Sequence, residues 1–141
     1  MIAIRLTFLP GVPVYQQVVY AAKKAIIAGQ MRRGDRFPSV RTLSQELKIN
    51  PNTAHKVVTQ LISDGLLEVH PGRGTVVAEL PASTARERTQ LLKGELEALV
   101  VEAKRLQMNL SDVQTALTEH WERLCSDARQ SGPGHRKGER S

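Results

Sequence analysis

Apolar residues follow two rhythms along this chain. Ile2, Ile4, Leu6 and Phe8 alternate with Arg5 and Thr7, and period two predicts a short, half-buried strand over residues 2–8. Pro10, Gly11 and Pro13 end it. From Val14 the period lengthens, and Val18, Ala22, Ala25 and Ile26 repeat at helical spacing as far as Gly29, a residue suited to the left-handed position that closes a helix. Gln30 to Pro38 reads as an exposed basic connection. Ser39 is placed to cap a second helix whose inward face is Val40, Leu43 and Leu47. Lys48, Ile49 and Asn50 form a turn. A third helix begins at Pro51, where a missing N–H costs nothing, and buries Ala54, Val57, Val58 and Leu61 before Gly65 stops it. Leu66, Leu67 and Val69, then Thr75, Val76 and Val77, make two strands joined by His70-Pro71-Gly72-Arg73-Gly74.

Two short helices across a tight turn, followed by a glycine-punctuated β-ribbon, are the plan of a winged helix-turn-helix. Its third helix, at about 51–64, would be the recognition helix, and the ribbon, at about 67–77, the wing. The apolar spacing of that helix leaves Asn52, Thr53, His55 and Lys56 on the open side near its start, where such a helix meets base edges. Asn bonds bidentately to adenine, Thr reaches a base or a thymine methyl, and Lys reaches phosphate or guanine. The wing tip, Gly72 and Arg73, can bring backbone close to DNA and aim a cation at a groove. Arg32 and Arg33 are candidate phosphate contacts, with Arg36 in the same connection. Asn52 could instead serve only the helix start, and Lys56 or Arg41 could be solvated surface charges. Tyr15, Phe37 and Trp121 read as core or interface packing.

The remainder of the chain has a different pattern. Thr84 with Glu87, and Ser111 with Gln114, have capping-box spacing and predict two helix starts. Leu92, Leu96, Leu99, Ala103 and Leu106 step by four, three, four and three as in a coiled-coil seam; the second helix offers Val113, Leu117, Trp121 and Leu124. With Gln107 to Leu110 as a short link, the two should fold back as a hairpin. Two thin amphipathic helices cannot bury both seams alone, so a second copy is the economical partner, although the leucines could pack on the winged domain instead. The domain reading is therefore 1–80 for the winged helix-turn-helix, 81–130 for a dimerisation hairpin, and 131–141 for a disordered basic tail.

Charge sharpens this picture. The chain carries 20 Lys and Arg against 14 Asp and Glu, a net +6 over 141 residues. Residues 1–80 hold ten basic and five acidic side chains, whereas residues 81–141 hold ten and nine, so the excess lies on the reader. A polyanion suits such a surface, since each neutralised phosphate releases counterions. Cys125 is the only cysteine, which excludes an intrachain disulfide and a cysteine-based zinc finger. No apolar run spans a membrane and the first ten residues lack signal-peptide character, so a cytoplasmic location without a membrane partner is expected. His55, His70, His120 and His135 are scattered, with no metal-ligand pair, nucleophile elbow or phosphate loop. The expectation is no enzyme, no metal and no cofactor.

One set of residues carries a family resemblance. Val12-Pro13-Val14-Tyr15, Ile27-x-Gly29, Gly34-Asp35-x-Phe37-Pro38-Ser39-x-Arg41-x-Leu43, Asn52-Thr53, Leu61, Gly65-Leu66 and Gly72-x-Gly74-Thr75 together resemble the DNA-binding domain of the GntR family of bacterial transcription regulators, over roughly residues 10–78. The short two-helix remainder resembles the YtrA subfamily, whose genes are often linked to membrane transport. The resemblance implies that Arg41, in the Pro-Ser-x-Arg motif, contacts DNA with Ser39 beside it. It also implies that Asn52, Thr53 and His55 meet bases and that Gly72 and Arg73 form the wing contact. Some relatives carry recognition-helix arginines where this chain has Pro51 and His55. The function expected is a homodimeric regulator, a repressor, on an inverted-repeat operator of double-stranded DNA. Two alternatives stay open: a winged-helix protein–protein adaptor, and a sequence-nonspecific architectural DNA binder. A small-molecule effector of unknown identity is a further possible partner, with little room in a helical hairpin for a pocket of the usual few hundred Å³.

Overall fold

A computed structural model describes residue 4 and residues 6–131, with side chains placed as far as Cys125. Three helices come first: α1 (Val14–Ile27), α2 (Val40–Leu47) and α3 (Pro51–Ser63). A two-stranded antiparallel ribbon follows, β1 (Leu67–His70) paired with β2 (Gly74–Val77), with Leu67 opposite Val77 and His70 opposite Gly74. The apolar stripes converge. Val18, Ala22, Ala25 and Ile26 of α1, Leu43 of α2, and Ala54, Val57 and Leu61 of α3 are all buried in one core with Phe37, Leu66, Leu67 and Val77. Helix α3 packs against both α1 and α2, so its inner face is committed and its outer face is free.

Local chemistry explains the ends of these helices. Ser39 Oγ accepts the Thr42 N–H at 3.1 Å, and Asn50 Oδ1 accepts the Asn52 N–H at 2.7 Å, each satisfying an amide that the helix itself leaves without a partner. Lys48 sits at φ 57° and closes α2 in the left-handed conformation. Because Asn50 fixes where the third helix starts, Asn50→Ala should lower unfolding free energy by about 1 kcal/mol, with Asn50→Ser close to the parent protein. Denaturant titration checks this, and equal stability of the Ala variant would show that the cap contributes nothing.

Two expectations about this first unit are corrected. No strand forms in the described part of residues 2–8: Ile4 is buried in the core, but the chain there has no ladder partner. Just after it, the Gln17 carboxamide ties down the turn into α1, accepting the Leu9 N–H at 2.8 Å and donating to the carbonyls of Leu9 and Val12 at 3.0 and 2.8 Å. Alternation reported burial on one side, not pairing. Conversely, the connection between α1 and α2 is not merely exposed. The Gly34 N–H donates to the Val77 carbonyl, the Val77 N–H to the Asp35 carbonyl and the Phe37 N–H to the Thr75 carbonyl, all at 2.8 Å, with Arg36 bridged to Val76. This stretch covers the outer edge of β2, whose backbone groups would otherwise lack partners.

The chain divides into two compact units, the second being Pro81–Leu124. It opens with α4 (Ala85–Gln90), passes through a π-helical turn at Leu91–Glu95 and continues as α5 (Leu96–Arg105). The Thr84 capping box is complete: Thr84 Oγ1 accepts the Glu87 N–H at 3.0 Å, and Glu87 Oε1 accepts the Thr84 N–H at 2.9 Å. Helix α6 (Leu110–Ser131) starts before the expected Ser111 cap, because Asn109 Oδ1 takes the Asp112 N–H at 3.2 Å. Gln107, at φ 61°, turns the chain between the helices.

The expected hairpin closes only at its corner. Ala103 is buried, and Val100, Met108, Leu110 and Val113 line an apolar cleft of about 260 Å³ beside it. Away from that corner the described side chains of the two stripes are mostly solvent-exposed. Leu92, Leu96, Leu99, Leu106 and Leu117 are exposed, and Trp121 is 71 % exposed, with Val113 and Leu124 half-buried. Each helix has one narrow apolar stripe, and a single chain leaves these stripes in solvent. Of the expected tail, Ser131 ends α6 and residues 132–141 lie outside the described residues.

Candidate nucleic-acid interface

The third helix displays its first turns. Asn52, His55 and Lys56 are exposed and Thr53 is half-buried, while Ala54 and Val57, between and beyond them, are buried. Capping falls to Asn50, so the Asn52 carboxamide makes no hydrogen bond to another described residue and stays available for a ligand. Lys56 differs: its Nζ lies 4.3 Å from the centre of the Tyr15 ring on α1. A cation over an aromatic face gains roughly 0.5–1 kcal/mol at an exposed site, which orients Lys56 and gives half-buried Tyr15 a role beyond packing.

Arg41 stands in the first turn of α2, exposed and without a hydrogen bond or ion pair to any described residue. Ser39, assigned to DNA from the motif, is already engaged as the cap of that helix and also donates its hydroxyl to Thr42 Oγ1 at 3.1 Å. Arg32 and Arg33 of the connection are held differently. The Arg33 guanidinium pairs with Glu79 at 3.3 Å, and the Arg32 N–H donates to the Asp35 carboxylate at 2.8 Å.

The wing is stiffer than a loop with two glycines suggests. Gly72 and Gly74 take φ 82° and 86°, values that a side chain disfavours, and these positive angles turn the ribbon. The Arg73 side chain bends back and donates from Nη2 to the Gly34 carbonyl at 3.2 Å, while Arg36 Nε donates to the Arg73 carbonyl at 3.1 Å. On β1, Glu68 lies 2.7 Å from His70. Arg36 is the residue sequence reasoning undervalued. A signal existed in its neighbour, for a Phe in an otherwise basic stretch marks a segment packed on something.

Among the described residues no three of His, Cys, Asp and Glu come together as a metal site, and no helix is long and apolar enough to cross a membrane. What the geometry presents is a helix with its polar first turns outward, and a two-stranded ribbon with Arg73 at its tip: the architecture of a winged helix-turn-helix DNA-binding domain.

Comparison with known proteins agrees. The family model for bacterial regulatory proteins of the gntR family matches residues 14–77. The HTH-type transcriptional repressor YtrA of Bacillus subtilis is 35% identical over 92 residues, covering 64% of this chain and 71% of the repressor. Among solved structures, a transcriptional antiterminator from Listeria monocytogenes superposes with a TM-score of 0.76 at 20% identity, over 95% of this chain and 98% of that one, a likeness of fold. YtrA from Sulfolobus acidocaldarius, a GntR-family transcription factor, superposes with a TM-score of 0.54 at 25% identity, covering 67% of this chain and 97% of that structure. The chain belongs to the GntR family and is YtrA-like. It is a transcription regulator of that family.

Proposed function

We propose that this regulator is a repressor that acts in the cytoplasm as a homodimer on an inverted-repeat operator. Residues 1–80 serve as the reader and residues 81–130 as the dimerisation helices. The observation that carries the reading is the outward first turns of α3, where Asn52, Thr53 and His55 stand next to a buried face that fixes their direction. Arg41 at the start of α2 and the wing residues Gly72 and Arg73 complete the contact set, with Lys56, Ser39, Arg32 and Arg33 toward the backbone. Repression is supported by the likeness to the Bacillus relative, a transcriptional repressor. Dimerisation is supported by the solvent-exposed stripe of Leu92, Leu96, Leu99 and Leu106 on one helix and Leu117 and Trp121 on the other. Ala103, Val113 and Leu124 lie along the same stripes.

A two-fold axis would present two copies of α3 to half-sites one helical turn apart, about 34–36 Å, or a multiple of it. Selection from a random duplex library with the full chain is the test. The expected product is a single enriched motif with two-fold symmetry. A direct repeat, or no enrichment over input, would overturn the proposal.

A further inference from the structure

Between the wing and the start of α2 lies a concavity of about 500 Å³ that brings Arg36, absent from the contact set above, together with Arg73. Its walls are Arg36 and Arg73, the hydroxyl residues Ser39, Thr42 and Thr75, and the apolar floor of Phe37 and Val40. No carboxylate lines it. The two arginines belong to segments 37 residues apart, and each fastens the other's backbone: Arg36 to the Arg73 carbonyl, and Arg73 to the Gly34 carbonyl. These contacts use one N–H on each guanidinium and leave the remaining donors to a ligand. Two cations held near one another cost electrostatic energy unless an anion joins them.

Resting on the DNA-binding reading, we infer that this concavity seats one backbone phosphate of the operator, with Arg36 and Arg73 as its cationic donors. Arg73 then positions the complex on the backbone and reads no groove, because its side chain is turned back toward Gly34. Arg36, in the loop that covers the edge of β2, becomes a DNA contact in its own right. The open shape suits a phosphate carried on a chain more than a small anion that must be enclosed.

The salt dependence of binding separates this from a purely structural role. Each phosphate contact adds about 0.9 to the slope of log K against log salt on duplex DNA. In full-length protein, Arg36→Gln should lower that slope, by at most about 0.9 per chain, on operator and on random duplex alike, whereas Arg36→Lys keeps it. Arg73→Gln should do the same as Arg36→Gln. An Arg36→Gln protein that binds more weakly with an unaltered slope overturns the cradle and leaves the DNA reading intact, as does a slope lost on operator only. A parent protein that shows no salt-dependent binding to either DNA overturns both. The free-anion alternative is checked with inorganic phosphate alone: micromolar phosphate raising the melting temperature of the parent but not of Arg36→Gln would assign the cradle to a free anion and overturn the backbone contact.

Discussion

Leu99→Asp is expected to convert the protein into a folded monomer. Leu99 lies midway along the apolar stripe of α5 and is exposed in the single chain. In a two-fold dimer the substitution acts twice. Burial of one leucine is worth roughly 1.5–3 kcal/mol, so losing two removes roughly 3–6 kcal/mol. At 1.4 kcal/mol per decade, dimerisation weakens by about 10²- to 10⁴-fold before any cost of burying the new carboxylates is counted. Sedimentation equilibrium should show the shift from dimer to monomer, while the melting of the winged unit stays near that of the parent protein. Operator affinity falls with the dimer, and affinity for an isolated half-site does not. A dimer that persists would mean that another surface joins the copies and that the stripe serves something else.

Arg41→Ala should produce the largest loss of sequence discrimination. The guanidinium is exposed in the first turn of α2 without a partner among the described residues, so its removal leaves no buried group stranded and should not destabilise the fold. If it reads a guanine edge bidentately, its loss costs roughly 1–3 kcal/mol per half-site, about 5- to 150-fold. Fluorescence anisotropy with operator and with random duplex checks both halves of this expectation. Weaker binding to operator with little change on random DNA is the expected pattern. An equal loss on both would make Arg41 a phosphate contact, and no loss on either would remove it from the interface.

These two expectations draw on features of different legibility. The three helices of the reader are legible in sequence because each carries a helical stripe, and two of them start at a side-chain cap: Ser39 before α2 and Asn50 before α3 are local devices that need no knowledge of the fold. The ribbon was equally plain, since Gly72 and Gly74 bracket a turn between two apolar runs. What sequence did not display was pairing at a distance. The edge hydrogen bonds from Gly34 and Phe37 to β2 join residues about forty positions apart through backbone atoms, which carry no sequence signature. The alternation of Ile4 and Leu6 likewise signals a strand in sequence, whereas in the structure it marks side chains packed on the core without a described strand.

The candidate site divides along the same line. Exposure of Asn52, His55 and Arg41 follows from helical phase and was legible. The engagements of individual cations were not: Lys56 over Tyr15, Arg33 with Glu79 and the reciprocal fastening of Arg36 and Arg73 all depend on which segments the core brings together. A run of arginines in sequence looks uniform. In three dimensions Arg33 faces the Glu79 carboxylate, whereas Arg36 lines a concavity whose walls hold no carboxylate. The second unit shows a related limit. A leucine stripe is visible in sequence, but whether two such stripes close on each other or stay open depends on the corner at Gln107 and Met108, and here they stay open.

The central claim, that outward residues of α3 read a particular base sequence, is tested most directly by the ratio of affinities for the selected motif and for random duplex of the same length, measured with the full chain at physiological salt. Specific regulators typically bind their sites 10³- to 10⁷-fold more tightly than other DNA, so a ratio of at least about 10³ is expected. A ratio near one would contradict the claim, leaving a protein that holds DNA without reading it.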